Sequence, residues 1–330
     1  MEAQGIGTEK RVVAFLGPQA SYTHQATLDT FNPETHTLSP QITIEDVFSA
    51  VQSGTAYRGV VPFENSTNGS VVFTLDLFAD LHNKYPDILV CGESYIAVQH
   101  CLLGHHQRDD DSSTQISATT GPVSREAAGI TKIYSHPQAW GQCKVFLNTY
   151  LKGVERQDVS STSRAAELVA RDGSGESAAI SSLVAARIFG LGVLARGIEE
   201  RGDNTTRFFV IRRRDASSND GGVEGSGADE KRDWKTLVSF TVDHANPGAL
   251  AHSLAVFEKY GLNLTSINTR PSGVENWNYI FFVEIKGRRL EGENTRDGGE
   301  GGDVNKALRD LDRVCRGWRW LGSWENRQKA

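Results

Sequence analysis

The chain has 330 residues, 38% of them hydrophobic and 23% charged, which is an ordinary soluble globular composition with enough apolar content for two or three lobes with their own cores. A formal charge of -6 leaves no basic stripe for nucleic acid or an anionic membrane, so neither is expected as a partner, and an anionic ligand must be held by local donors. The first ten residues have neither the basic start nor the apolar run of a signal peptide, and no stretch approaches a membrane span, which predicts a cytoplasmic protein.

In chain order, Val12 to Leu16 is an apolar run stopped by Gly17 and Pro18, and polar Ser21 to His24 follow where a helix can begin. Thr43 and Asp46 form a capping pair ahead of Ile44, Val47, Phe48 and Val51, which share one helical face. A strand over "GVVPFE" precedes a helix marked by Leu75, Phe78, Leu81 and Tyr85. The chain then reads extended from Ile88 to Leu103 and enters a polar insertion over 105–115, where His105 and His106 fit a solvated loop better than a ligand pair. Strands at Lys132 to Tyr134, Val154 to Val159 and Ala178 to Ile180 alternate with helices through Ala139, Cys143, Phe146 and Tyr150, from about Ser163, and up to Phe189. A strand at Arg207 to Ile211 closes the series. Repeated strand-helix units predict α/β lobes with largely parallel sheets.

Residues 213–234 are rich in Gly, Ser and acid with almost no apolar side chains, a flexible-linker composition that places a domain boundary there. Beyond it the pattern spells βαββαβ over 235–325, with a second polar insertion at 287–303. Cys91, Cys101, Cys143 and Cys315 form no CxxC pair and have no histidine at metal spacing, so reduced, mostly buried thiols are predicted and no metal. Asn65, Asn68, Asn204 and Asn263 sit in glycosylation triplets, which are inert outside the secretory route.

Four polar stretches end strands or begin helices: "GPQASYTH", "ENSTNGS", "SHPQAWGQC" and "NTTRF". In open α/β sheets ligands sit beyond the carboxyl ends of the strands, and the first three stretches lie just upstream of helices whose free N–H groups favour an anion. Gln138 and Gln142, four apart, share a helix face. The result is a neutral site lined by hydroxyls and amides, suited to carboxylates, with Arg207 as its one full positive charge.

"GPQASYTHQA", "PFENSTNGSV", "SHPQAWGQC", "SSTSRAA" and "TTRFFVI", in this order and followed by "NPGALAHSL" and "INTRPS", resemble a prephenate dehydratase with a C-terminal ACT-type regulatory domain. The likeness covers nearly the whole chain apart from its ends and insertions. It implies a two-lobed, periplasmic-binding-protein-like α/β catalytic region over 10–212, with the active site between lobe one (about 10–99 plus 191–212) and lobe two (about 100–190). A ferredoxin-like α+β ACT domain would follow. The implied reaction converts prephenate to phenylpyruvate by loss of carbon dioxide and the ring hydroxyl, without metal or redox cofactor. Such a site must orient a dianion and supply a donor for the departing hydroxyl, yet not over-stabilise the ring carboxylate that leaves.

By this resemblance Thr206 donates to the leaving oxygen, Glu64 and Asn65 flank it, Arg207 pairs with a carboxylate and Phe208 packs on the ring. Without the motif these read as a strand-start threonine, a helix-entry carboxylate, a surface arginine and plain core. Ser21, Thr23, Ser66, Gly69, Ser135, Gln138, Gln142, Ser161 and Thr162 match substrate-contact positions, with a simple N-cap an equal reading of the Ser161 and Thr162 pair. His136, ahead of Pro137, fits a structural role at a helix entry. Asn246, Gly248, Ala249 and Leu250 match the start of an effector-binding helix, and Asn268 and Thr269 stand where the family has glutamate and serine. L-Phenylalanine is by this resemblance a possible effector, and pairing of such domains implies a homodimer or higher homo-oligomer. Ala20 replaces a usual glycine, a mild change only if its φ is negative. The alternatives are an arogenate dehydratase with the same motifs and a non-catalytic amino-acid sensor.

Overall fold

A computed structural model of the chain describes residues 10–105, 127, 129–215, 233–290 and 302–328. His106, most of both polar insertions and most of the 213–234 linker lie outside these residues.

The order begins β1 (Arg11–Leu16), α1 (Tyr22–Thr30), β2 (His36–Gln41), α2 (Ile44–Gln52), β3 (Arg58–Asn65), β4 (Gly69–Ser70), α3 (Val72–Ala79), β5 (Ile88–Ala97) and β6 (Cys101–Gly104). It continues with β7 (Lys132–Ser135), α4 (Pro137–Gln142), α5 (Lys144–Tyr150), β8 (Glu155–Asp158), α6 (Thr162–Arg171), β9 (Ser177–Ser181), α7 (Leu183–Phe189), β10 (Gly192–Arg196) and β11 (Thr205–Arg213). The C-terminal part is β12 (Trp234–Thr241), α8 (Ala249–Lys259), β13 (Leu264–Pro271), β14 (Tyr279–Lys286), α9 (Asp303–Val314) and β15 (Gly317–Glu325).

Local chemistry sets these bounds. Thr43 and Asp46 form the expected reciprocal capping box on α2, at 3.0 and 2.9 Å. Gly190, at φ 67°, ends α7 in the left-handed conformation that a residue with a side chain adopts only at a cost. The helix expected through Tyr150 breaks at Cys143 into α4 and α5.

The strands form two sheets. One runs β13-β14-β12-β15-β5-β11-β3-β1-β2 with β4 on β3, and the other runs β10-β6-β9-β7-β8. Both are mixed, which corrects the expectation of largely parallel sheets: β11 is antiparallel to both β3 and β5, and β6 to both β9 and β10. Apart from the short β4, the antiparallel pairings within the two lobes all involve strands by which the chain passes between them, β5 and β6 on the way out and β10 and β11 on the return. Because β10 pairs with β6, the second lobe extends to Arg196, past the expected boundary at 190. Residues 98–100 and 197–204 are the two crossings.

The C-terminal unit is the expected βαββαβ, with all four strands antiparallel in the order β13-β14-β12-β15. It does not stand apart from lobe one. Gly322 of β15 pairs with Val90 of β5, and one core joins Leu237, Phe282, Leu321 and Trp324 to Phe63, Val90 and Phe209. Trp324 and Phe209 meet edge to face at 5.2 Å, and each fully buried side chain of this kind contributes about 1.5–3 kcal/mol.

Candidate active site

Strands β3 and β11 lie side by side with Thr206 opposite Asn65. Asn65 Nδ2 donates to Thr206 Oγ1 at 2.9 Å and to Asn204 Oδ1 at 2.8 Å. Its Oδ1 accepts from the backbone N–H groups of Thr67 and Asn68, both at 3.0 Å. Two N–H donors on the oxygen fix which end of the amide is which. Ser66 ties the loop to the same strand: its N–H donates to Thr205 O at 2.9 Å and its Oγ accepts from Thr205 N at 3.0 Å. Gly69, at φ 80°, makes the turn that returns the loop as β4.

A second group spans the seam between the lobes. Tyr22, on α1 in lobe one, lies with its hydroxyl 3.3 Å from His100 Nδ1, and His100 Nε2 lies 2.6 Å from Gln142 Oε1 on α4 in lobe two. A glutamine carbonyl accepts, so Nε2 carries the proton and Nδ1 is the acceptor. Burial lowers the His100 pKa against the opposing pull of Gln142 and Glu199, and burial pushes the Tyr22 phenol far up. Both groups are neutral at physiological pH. Nearby, Ser163 Oγ donates to Gln19 O and Ser182 Oγ to Ala20 O at 3.4 Å, so the 17–24 stretch meets the α6 and α7 entries.

A family model described as prephenate dehydratase matches residues 13–216. The chain belongs to the prephenate dehydratase family. A bifunctional chorismate mutase/prephenate dehydratase of Aquifex aeolicus is 36% identical over 97% of this chain and 75% of that one. A crystal structure of prephenate dehydratase from Arthrobacter aurescens in complex with L-Phe superposes with TM-score 0.73 at 26% identity, covering 97% of this chain and 92% of that one. A structure described as GqqA, a novel type of quorum quenching acylase, superposes with TM-score 0.72 at 26% identity, covering 96% of this chain and 98% of that one.

Within this prephenate dehydratase fold the expected site residues separate. Thr206, Asn65, Ser66 and Gly69 come together, with Asn204 added. Arg207 does not join them. Its guanidinium is buried at 6% exposure and bonds to Glu93 and Glu284, because neighbours on a strand point to opposite faces. Glu64 lies opposite Arg207 in the register and so shares that rear face, away from Thr206. Phe208 is core, packed with Val13 and Phe15.

Ser135 is fully buried and spends its hydroxyl on Ile180 O at 3.2 Å across the sheet. Ser21 and Ser161 cap α1 and α6, and Thr162 is the first residue of α6. Gln138 is exposed, while Gln142 turns inward to His100. Thr23 is buried on α1, one residue from Tyr22. His136 caps α4, the structural role expected of it. Ala20 adopts φ 67°, the strained branch of the glycine replacement.

His100 went unnoticed in the sequence because it follows an extended run with no motif around it. The rearward placement of Arg207 and Glu64 had a usable signal in the sequence: if Thr206 and Asn65 face a ligand, their strand neighbours face away.

Among the described residues no group of three or more potential metal ligands occurs, and no helix is long and apolar enough to cross a membrane. The four cysteines are free. Burial raises Cys101 to about 11 and Cys143 to about 12, which keeps both as thiols.

In the C-terminal unit Gly248, at φ 83°, opens α8, Ala249 is buried, and Leu250 packs on the local core. Asn246 lies just ahead of them. Thr269 is exposed, whereas Asn268 Oδ1 accepts from Ser70 Oγ at 2.5 Å, in the loop that carries Asn65. Among the described residues no hydrogen bond joins the α8 entry to Asn268 or Thr269.

Proposed function

We propose that this prephenate dehydratase works through the Thr206 hydroxyl as the donor to the departing ring oxygen, with Asn65 orienting it. The electron pair of the bond to the ring carboxylate moves into the ring and expels hydroxide from the opposite carbon. The ring becomes aromatic, carbon dioxide leaves, and the hydroxide takes up one proton to become water. A threonine hydroxyl is too weak an acid to give that proton outright, so Thr206 stabilises the developing oxyanion by hydrogen bonding while the proton comes from solvent. The observation that carries this reading is the 2.9 Å contact from Asn65 Nδ2 to Thr206 Oγ1. With the amide filling one side of the oxygen, the hydroxyl proton must point elsewhere.

The burial of Arg207 against two glutamates supports the same reading. A cation facing the cleft would hold back the carboxylate that must leave; turned to the rear it does not. Neutral Tyr22, His100, Gln142 and Thr23 would line the seam and orient the substrate.

L-Phenylalanine is the proposed effector of the C-terminal unit, which the phenylalanine-bound relative from Arthrobacter aurescens supports. The Asn246, Gly248, Ala249 and Leu250 entry and the Asn268 and Thr269 strand would meet across two copies of the chain. Among the described residues β13 is the edge strand of its sheet, and that edge together with half-exposed Ile267 is suited to such pairing, giving at least a homodimer acting in the cytosol. A side-by-side assay of prephenate and arogenate tests the assignment: faster release of phenylpyruvate from prephenate is expected, and faster turnover of arogenate would overturn it.

A further inference from the structure

The hairpin of β13 and β14 reaches both halves of the Thr206 and Asn65 pair from behind. Arg207, next to Thr206, gives Nε and Nη2 to Glu93 Oε2 at 2.9 and 2.5 Å and gives Nη2 also to Glu284 Oε2 at 2.6 Å. Glu93 belongs to lobe one and Glu284 to β14, and each is 1% exposed. Lys235 of β12 completes the group, 3.7 Å from Glu93 Oε1 and 3.4 Å from Glu284 Oε1. Two cations and two carboxylates balance. Thr265 Oγ1 and the Arg327 N–H occupy further carboxylate positions at 2.6 and 2.8 Å. The guanidinium also lies 4.8 Å from the Phe209 ring centre and 5.9 Å from that of Trp324.

The second contact is Ser70 Oγ to Asn268 Oδ1, with Asn268 Nδ2 donating in turn to Ser266 Oγ at 3.2 Å. Ser70 ends the loop that begins at Asn65, and Gly69 pairs with Asn65 directly. Arg270 on β13 further clasps Asp76 on α3, at 2.5 and 3.2 Å.

We infer that Glu284 and Asn268 are positioning residues for the reaction: the C-terminal unit holds Thr206 through Arg207, and Asn65 through Ser70. The inference rests on the reading of Thr206 and Asn65 as the reacting pair. A dry guanidinium with two carboxylate partners has one favourable place, and it cannot shift without turning the strand at Thr206. A displacement of about 1 Å in a reacting group can cost on the order of 100-fold in rate. Any ligand that moves the hairpin would therefore act on turnover through these two contacts.

In the full chain, kcat, KM for prephenate and Tm are measured for Glu284→Gln, Lys235→Gln/Glu284→Gln and Asn268→Ala. Glu284→Gln is expected to lower kcat at least about 10-fold with KM within about two-fold. The double variant, neutral again, is expected to regain Tm but not kcat, and Asn268→Ala to lower kcat about three-fold or more. A kcat for Glu284→Gln within about two-fold of the parent, or recovery of kcat together with Tm in the double variant, would overturn the inference. If the Glu284 variants do not fold, Asn268→Ala decides, and an unchanged kcat there overturns it. Thr206→Val in the same assay separates the two layers: if it stays active the reading of the reacting pair has failed, and if it is inactive while Glu284→Gln is fully active only the present inference has.

Discussion

Asn65 Nδ2 donates to Thr206 Oγ1 across 2.9 Å, and this contact orients the threonine. A hydroxyl has one proton and two lone pairs. With one lone pair taken by the amide, and no acceptor for its proton among the described residues, Thr206 is left as a donor. The amide cannot turn over, because Thr67 and Asn68 hold its oxygen.

Replacing that amide by a carboxylate reverses the arrangement. In Asn65→Asp the atom facing Thr206 becomes an acceptor, captures the threonine proton and adds a negative charge beside a dianionic substrate. Steady-state kinetics should show kcat falling by on the order of 100-fold or more, with KM raised as well. An unchanged kcat would mean that Thr206 is oriented by something else.

Two buried histidines make stability depend on acid. Burial lowers both His24 and His100 below the ordinary histidine value. His24 Nδ1 accepts from Ala20 N at 2.9 Å and must stay unprotonated to do so. Between the lowered folded values and about 6.5 the unfolded chain binds more protons than the folded one. The contribution of these two histidines to stability is therefore fully present above about pH 7 and is lost as pH falls through that window. Urea midpoints taken from pH 8 to pH 5 should fall, and less steeply for His100→Asn. A slope identical to that of the parent would remove His100 from the account.

Gly322 joins the C-terminal unit to lobe one by pairing with Val90. At φ 133°, an added Cβ would lie 2.0 Å from Val90 O and 2.7 Å from Val90 N, both backbone atoms that cannot give way without parting β15 from β5. Gly322→Ala should destabilise the protein by at least about 2 kcal/mol in urea titrations. A loss under about 0.5 kcal/mol would show that this sheet junction carries little of the stability.

Much of the fold was legible because periodicity and capping are local. Thr43 and Asp46 announced α2, and the βαββαβ order of the C-terminal unit followed from runs such as "TLVSFTV". Strand β2 was not foreseen, since "HTLSPQ" carries one large apolar residue and a proline at the sheet edge. The lobe assignment of β10 depended on its partner β6, about 90 residues earlier, and no local pattern encodes a partner. For the site, the motifs located the loops but not the direction of each side chain. Arg207 looked like the natural ligand for a carboxylate and does bind carboxylates, those of Glu93 and Glu284. Only the pleat tells that these belong to the protein.

The most direct test is the turnover of prephenate by Thr206→Val, which keeps the shape and removes the hydroxyl. The expected result is kcat lowered by on the order of 100- to 1000-fold with KM within about three-fold, and partial activity in Thr206→Ser. A valine variant that turns over within about two-fold of the parent would contradict the account.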